Sequence, residues 1–142
     1  MIILSVDLGA ARTGVAVSDK GEAFAFPRGV IHERDRARLV EALAARAAEE
    51  KAELLVVGLP RNMDGSEGFK AAECRETAEL LARRTGLPVE MQDERCTTLS
   101  AHTALNYTDT RGKKRKNVVD AVAAVMILED YLARRKNTAG QV

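Results

Sequence analysis

Leu54-Leu55-Val56-Val57 is an unbroken apolar run closed by a glycine. It is too short for a buried helix, and a strand apolar on both sides belongs inside a parallel sheet whose two faces are covered by helices. This run therefore points to an α/β architecture. Candidate helices lie on either side of it. Residues 35 to about 50 carry Leu39, Val40, Leu43, Ala44 and Ala47 at helical spacing, and a second helix ending near Arg84 carries Ala71, Cys74, Ala78 and Leu81. Gly86 and Pro88 stop the second helix, and Asp64-Gly65-Ser66 offers turn and N-cap chemistry before it.

Three strands are expected ahead of the first helix. Ile2 to Val6 leads through Gly9 to Thr13–Ser18, and Asp19-Lys20-Gly21 turns into a strand around Ala23 to Ile31. Pro27 favours an edge position for that third strand. Val89 to Asp93 makes a fifth strand, followed by a short helix over Thr98 to Leu105 and a long one from Val118 to about Arg135. Right-handed crossovers set strands four and five parallel to strand one, so ligands belong at the carboxyl ends of those strands.

The 142 residues suit one domain, taken as 1–136, with 137–142 as a disordered tail. No stretch approaches the ~20 apolar residues of a membrane span, so no membrane partner is expected. The N-terminus reads as a core strand rather than a secretion signal. Cys74 and Cys96 show no metal or redox spacing. A reduced, cytoplasmic protein is the expectation. Formal net charge is +1, yet Arg111, Lys113, Lys114, Arg115 and Lys116 concentrate five positive charges in one segment, read as a loop, which leaves the rest of the chain acidic. Such a cluster suits contact with a polyanion, although charge runs are commonly just solvated surface.

Three acids stand in apolar surroundings. Asp7 ends the first strand, Glu94 follows the fifth, and Asp120 is the lone charge in VVDAVAAVMIL. An ionised carboxylate in such a place costs several kcal/mol, roughly, unless something positive meets it. A divalent cation is the economical answer for three that converge. Each has an ordinary alternative: Asp7 as a turn cap, Asp120 as a helix N-terminal carboxylate stabilised by the macrodipole, and Asp93 as the true ligand in place of Glu94, since neighbouring strand residues face opposite ways. His32 and His102 have no partner spacing and receive no role.

Four blocks give the chain a resemblance. DLGAARTGVAVSD (7–19), VVGLPRNMDGSEG (56–68), DERCTT (93–98) and KKRKNVVDAVAAVMILEDYL (113–132) resemble, in order and over nearly the whole chain, the YqgF or RuvX family. To its members pre-16S rRNA nuclease and Holliday junction resolvase activities are ascribed. The resemblance implies an RNase H-like fold, a five-stranded mixed sheet of order 3-2-1-4-5 with the first three strands antiparallel, flanked by helices. It implies a metal-dependent nuclease of the bacterial cytoplasm, with Asp7, Glu94 and Asp120 holding Mg²⁺ or Mn²⁺. Ala123 stands where related resolvases carry a further acid, which bears on whether one metal or two are held.

On this reading Arg12, Arg61, Ser66, Arg95 and the segment Arg111, Lys113, Lys114, Arg115 and Lys116 contact nucleic acid. The partner is pre-rRNA in 5′-end maturation, in association with the ribosomal small subunit, or alternatively branched DNA in recombination. Oligomeric state stays open between monomer and homodimer, with Tyr131 and Leu132 as core or dimer contacts. The first block also resembles the phosphate loop of the actin, Hsp70 and sugar-kinase superfamily, but those proteins enclose nucleotide between two such domains. A weakly catalytic nucleic-acid-binding module is the third reading.

Overall fold

The computed structural model describes residues 1–62, 64–94 and 113–139, the last segment with side chains from Ala121 to Asn137. Its five strands are β1 (Ile3–Asp7), β2 (Arg12–Ser18), β3 (Ala25–His32), β4 (Leu54–Leu59) and β5 (Val89–Asp93). They form one sheet of order β3-β2-β1-β4-β5, antiparallel across β3, β2 and β1 and parallel across β1, β4 and β5. The expected order and directions are both present. β4 runs two residues further than expected, so Gly58 and Leu59 belong to the sheet and not to the following loop.

Three helices are described: α1 (Arg36–Glu50), α2 (Phe69–Thr85) and α3 (Lys113–Ala139). The Asp35 carboxylate caps α1 by accepting the Arg38 N–H at 3.0 Å, and Lys51 ends it in the left-handed region. The five residues α1 buries are those its spacing predicts. α2 starts differently from expectation. Its N-cap is Gly68, which makes no side-chain bond, while Asp64 and Ser66 bond within the preceding loop.

α3 begins at Lys113, five residues before the expected start, because nothing in Lys113 to Asn117 breaks a helix. Lys113, Lys114, Arg115 and Lys116 therefore sit on the opening turn of a helix and not in a loop; Arg111 lies outside the described residues. The helix also runs to Ala139, taking in the first three residues of the expected tail, and 140–142 lie outside. The short helix expected over Thr98 to Leu105 lies outside as well.

Strand alternation sorts the core into two layers. Leu4, Val6, Leu55, Val57 and Leu59 pack on α1 and α2 with Leu39, Leu43, Cys74 and Leu81. Ile3, Ala16, Leu54 and Val56 pack on α3 with Val122, Val125, Ile127, Leu128, Tyr131 and Leu132. Each fully buried aliphatic chain contributes about 1.5–3 kcal/mol of transfer free energy. Tyr131 and Leu132, 1% and 7% exposed, are core of this chain, not a dimer contact. Within the α3 layer the Ser5 hydroxyl donates to the Ala124 carbonyl at 2.7 Å, fixing the helix against β1.

β3 lies at the sheet edge, where Pro27 needs no inward donor. Its pairing with β2 slips by one residue between Gly14 and Ala16, and Gly29, at the slip, takes a φ of +87°.

Candidate nuclease site

Alternation fixes the orientation of the first carboxylate. Leu4, Val6 and the partly buried Leu8 face α1 and α2, so Ile3, Ser5 and Asp7 face α3. On β5, Val89 and Met91 face α1 and α2, which leaves the buried Gln92 and, two residues on, Glu94 facing α3. β4 separates the two acids, and Gly58 is its residue on that face: Val56 packs on α3 and Val57 on the other side. Val6 pairs with Val57 and Gly58 with Gln92, so Asp7 and Gly58 stand abreast, and Glu94 follows just past the end of β5 with its carboxylate against Gly58.

Asp7 and Glu94 share a side-chain hydrogen bond. Carboxylates this close repel when both are ionised, which favours protonation of one of them unless a cation meets the pair. Burial, then the charge of Asp7, then that bond push the Glu94 carboxyl up to about 7, with Asp93 adding and Lys70 opposing. Gly58 is the floor of this arrangement. A Cβ there would stand 2.7 Å from Glu94 Oε1 and would run into the Ile127 side chain.

Asp93 turns elsewhere. Its Oδ2 lies 3.8 Å from Arg61 Nη1, and Arg61 Nη2 lies 3.5 Å from Glu67. The two adjacent acids have different partners: Asp93 lies in an ion-pair network with Arg61, and Glu94 lies beside Asp7. Arg61 thus ties the loop after β4 to β5. Ser66 donates to Asp64 at 2.6 Å and accepts from Asn62 at 2.9 Å, so both residues shape that loop beside the carboxylates.

Position 120 lies seven residues into α3, about two turns. A macrodipole acts only over the first turn, so that explanation for Asp120 falls away. Positions 120, 124 and 127 share one helix face; Ala124 carries the carbonyl bound by Ser5, and Ile127 abuts Gly58. The Asp120 side chain and Arg95 lie outside the described residues. Among those described, no three His, Cys, Asp or Glu side chains form a metal-holding cluster; the pair is Asp7 and Glu94.

The donor set nonetheless suits a hard divalent cation. Two oxygen-donor carboxylates, one half-buried, are pressed together over a glycine, and a cation would offset the repulsion between them. The residues that sequence reading passed over are Gly58 and Lys70. Gly58 follows an apolar strand and reads as a strand terminator; Lys70, in the first turn of α2, looks like any exposed lysine.

A mixed sheet of this order, with carboxylates at the ends of β1 and β5, is the RNase H-like architecture. The chain belongs to the RuvX family: the family model described as "RuvX: Holliday junction resolvase" matches residues 1–134. A relative from Anaeromyxobacter sp. (strain Fw109-5), named "Putative pre-16S rRNA nuclease", is 42% identical over 135 residues, covering 95% of this chain and 98% of its own. Among solved structures, T. thermophilus RuvC in complex with a Holliday junction substrate superposes with a TM-score of 0.66 at 14% identity, over 97% of both chains. The Fowlpox virus resolvase, also with Holliday junction DNA, gives 0.61 at 12% identity, over 94% of this chain and 98% of its own. At those identities the likeness is one of fold. No helix among the described residues is long and apolar enough to cross a membrane.

Proposed function

We propose that this chain is a metal-dependent endonuclease that hydrolyses phosphodiester bonds, acting on pre-16S rRNA in 5′-end maturation within the cytoplasm. The observation that carries the reading is the Asp7–Glu94 pair, two carboxylates set together over the bare backbone of Gly58. Asp7, Glu94 and Asp120 would hold Mg²⁺ or Mn²⁺, which when bound lowers the pKa of water and offsets charge on phosphate.

The chain's own residues do the rest. Gly58 keeps the floor open so that the carboxylates and a phosphate can share one space. Arg61 neutralises Asp93, so that one negative charge fewer repels the substrate. Arg12, at the start of β2 on the same face, and the basic opening turn of α3 offer donors to the phosphate backbone, positioning a strand without reading its bases. Association with the small subunit follows from the substrate.

A second reading, resolution of a Holliday junction, draws on the family description and keeps the same site. A cleavage assay separates them. Precursor rRNA, single-stranded RNA and a four-way DNA junction are offered to wild type and Asp7→Asn, with Mg²⁺, Mn²⁺ or EDTA. Metal-dependent cutting lost in the variant supports the nuclease, and the preferred substrate selects the role. Binding without cutting in every metal would leave a binding module.

A further inference from the structure

We infer that the site end of the sheet carries a second grip for the nucleic-acid strand, a cleft of about 420 Å³ lined by Ala11, Arg12, His32, Glu33 and Arg34 that takes one phosphodiester a few nucleotides from the scissile one. This rests on the nuclease reading above and deepens it. Arg12 and His32 are direct partners across β2 and β3. Ile31 packs towards α1 and α2, so His32 lies on the opposite face, the one that carries Asp7.

The cleft has a fixed frame. The Glu33 N–H donates to the Ala11 carbonyl at 3.2 Å, extending the β2–β3 ladder one step past the strands and joining the β1–β2 turn to the segment entering α1. The acidic groups of that segment are tied to backbone: Glu33 accepts the Asp35 N–H at 3.1 Å, and Asp35 caps α1. Arg12, His32 and Arg34 are exposed and bring nitrogen donors to the same hollow. Two guanidiniums at one cleft suit a phosphate, which each can engage through paired N–H groups.

Its position gives it a task. β3 lies two strands from β1, or about 9–10 Å. A strand covers that distance in about three stacked nucleotides, at about 3.4 Å each, and in fewer if unstacked. The carboxylate pair alone favours neither direction of a bound strand. A cationic hollow on the β3 side of it does, and so draws the strand across that side of the sheet.

The test measures binding of a fluorescent single-stranded RNA by full-length Asp7→Asn protein across a salt series, with cutting removed. Adding His32→Ala and Arg34→Ala together should weaken binding about tenfold and flatten the salt slope by about 0.7, the loss of the Arg34 phosphate contact on a single strand. Glu33→Gln, which keeps an acceptor for Asp35 and removes a negative charge, should tighten binding. Unchanged affinity and slope in the double substitution would overturn the proposal. So would displacement of the RNA by equimolar nucleoside monophosphate, which would make the cleft a mononucleotide pocket; inorganic phosphate at matched ionic strength should not compete. Lack of metal-dependent cleavage by wild type fails the nuclease reading alone and leaves the binding comparison standing.

Discussion

Gly58 on β4 and Glu94, just past the end of β5, approach so closely that the glutamate carboxylate lies where a side chain at position 58 would begin, 2.7 Å from a Cβ placed there. The same Cβ would meet Ile127 on α3. One methyl group would therefore have to move either the carboxylate or the helix. Gly58→Ala should cost about 1–3 kcal/mol, the range for overpacking a filled core, and should lower metal-dependent cleavage by more than tenfold. Denaturant melts with a cleavage assay check both. Wild-type stability together with wild-type activity would show that the floor is not needed.

Asp7→Asn separates stability from activity. The two carboxylates repel, and Asp7 is the charge that acts most strongly on Glu94. Removing it at constant shape should raise the melting temperature in EDTA while abolishing cleavage, and should shrink the stabilisation that Mg²⁺ gives wild type. Thermal melts with and without Mg²⁺ read this directly; a melting temperature that falls in EDTA would mean Asp7 serves the fold.

Glu22 joins the hairpin after β2 to the far end of α3, bonding Arg135 Nε at 2.7 Å and the N-terminal ammonium at 3.1 Å. The Arg135 hydrogen bond is the main cause that lowers its carboxyl below the usual range. A lowered pKa in the fold gives stability that is present above the unfolded value, 4.5, and lost as pH falls through the folded one. Glu22→Gln should therefore destabilise by about 1 kcal/mol at neutral pH, and the effect should shrink as pH falls below 4.5. A pH series of melts on both proteins gives the difference; a gap that widens in acid would refute the assignment.

The sheet was legible in the sequence because β4 is an apolar run too short for a buried helix and the flanking helices are written in period 3.6: the inner stripes of α1 and α2 read correctly to the residue, Thr77 excepted. Asp7 and Glu94 were legible for a different reason, as charges set in apolar surroundings, and the structure brings their side chains into contact. The different surroundings of Asp93 and Glu94 were not, because Arg61 reaches Asp93 from the loop after β4. Nor was Gly58, whose role exists only once β4 lies between β1 and β5. The early start of α3 was hidden by the run of like charges, which reads as solvated loop until the helix behind it is packed.

Cys74 reports on that packing from the other face of the sheet. It is 5% exposed on α2, and burial, followed by the charges of Glu94 and Asp7, pushes its thiol up to about 11. Thiolate is the reactive form, so at pH 8 the native thiol should be close to inert. In a Cys96→Ser background, alkylation by iodoacetamide at pH 8 should be at least a hundredfold slower than in the denatured chain, and should follow unfolding as denaturant rises. Because two of the charges holding the thiol up belong to the proposed site, Asp7→Asn should also shift the native thiol titration downward. A thiol that labels at the denatured rate would mean that α2 does not close over the sheet, and the floor beneath Glu94 would then lack its support.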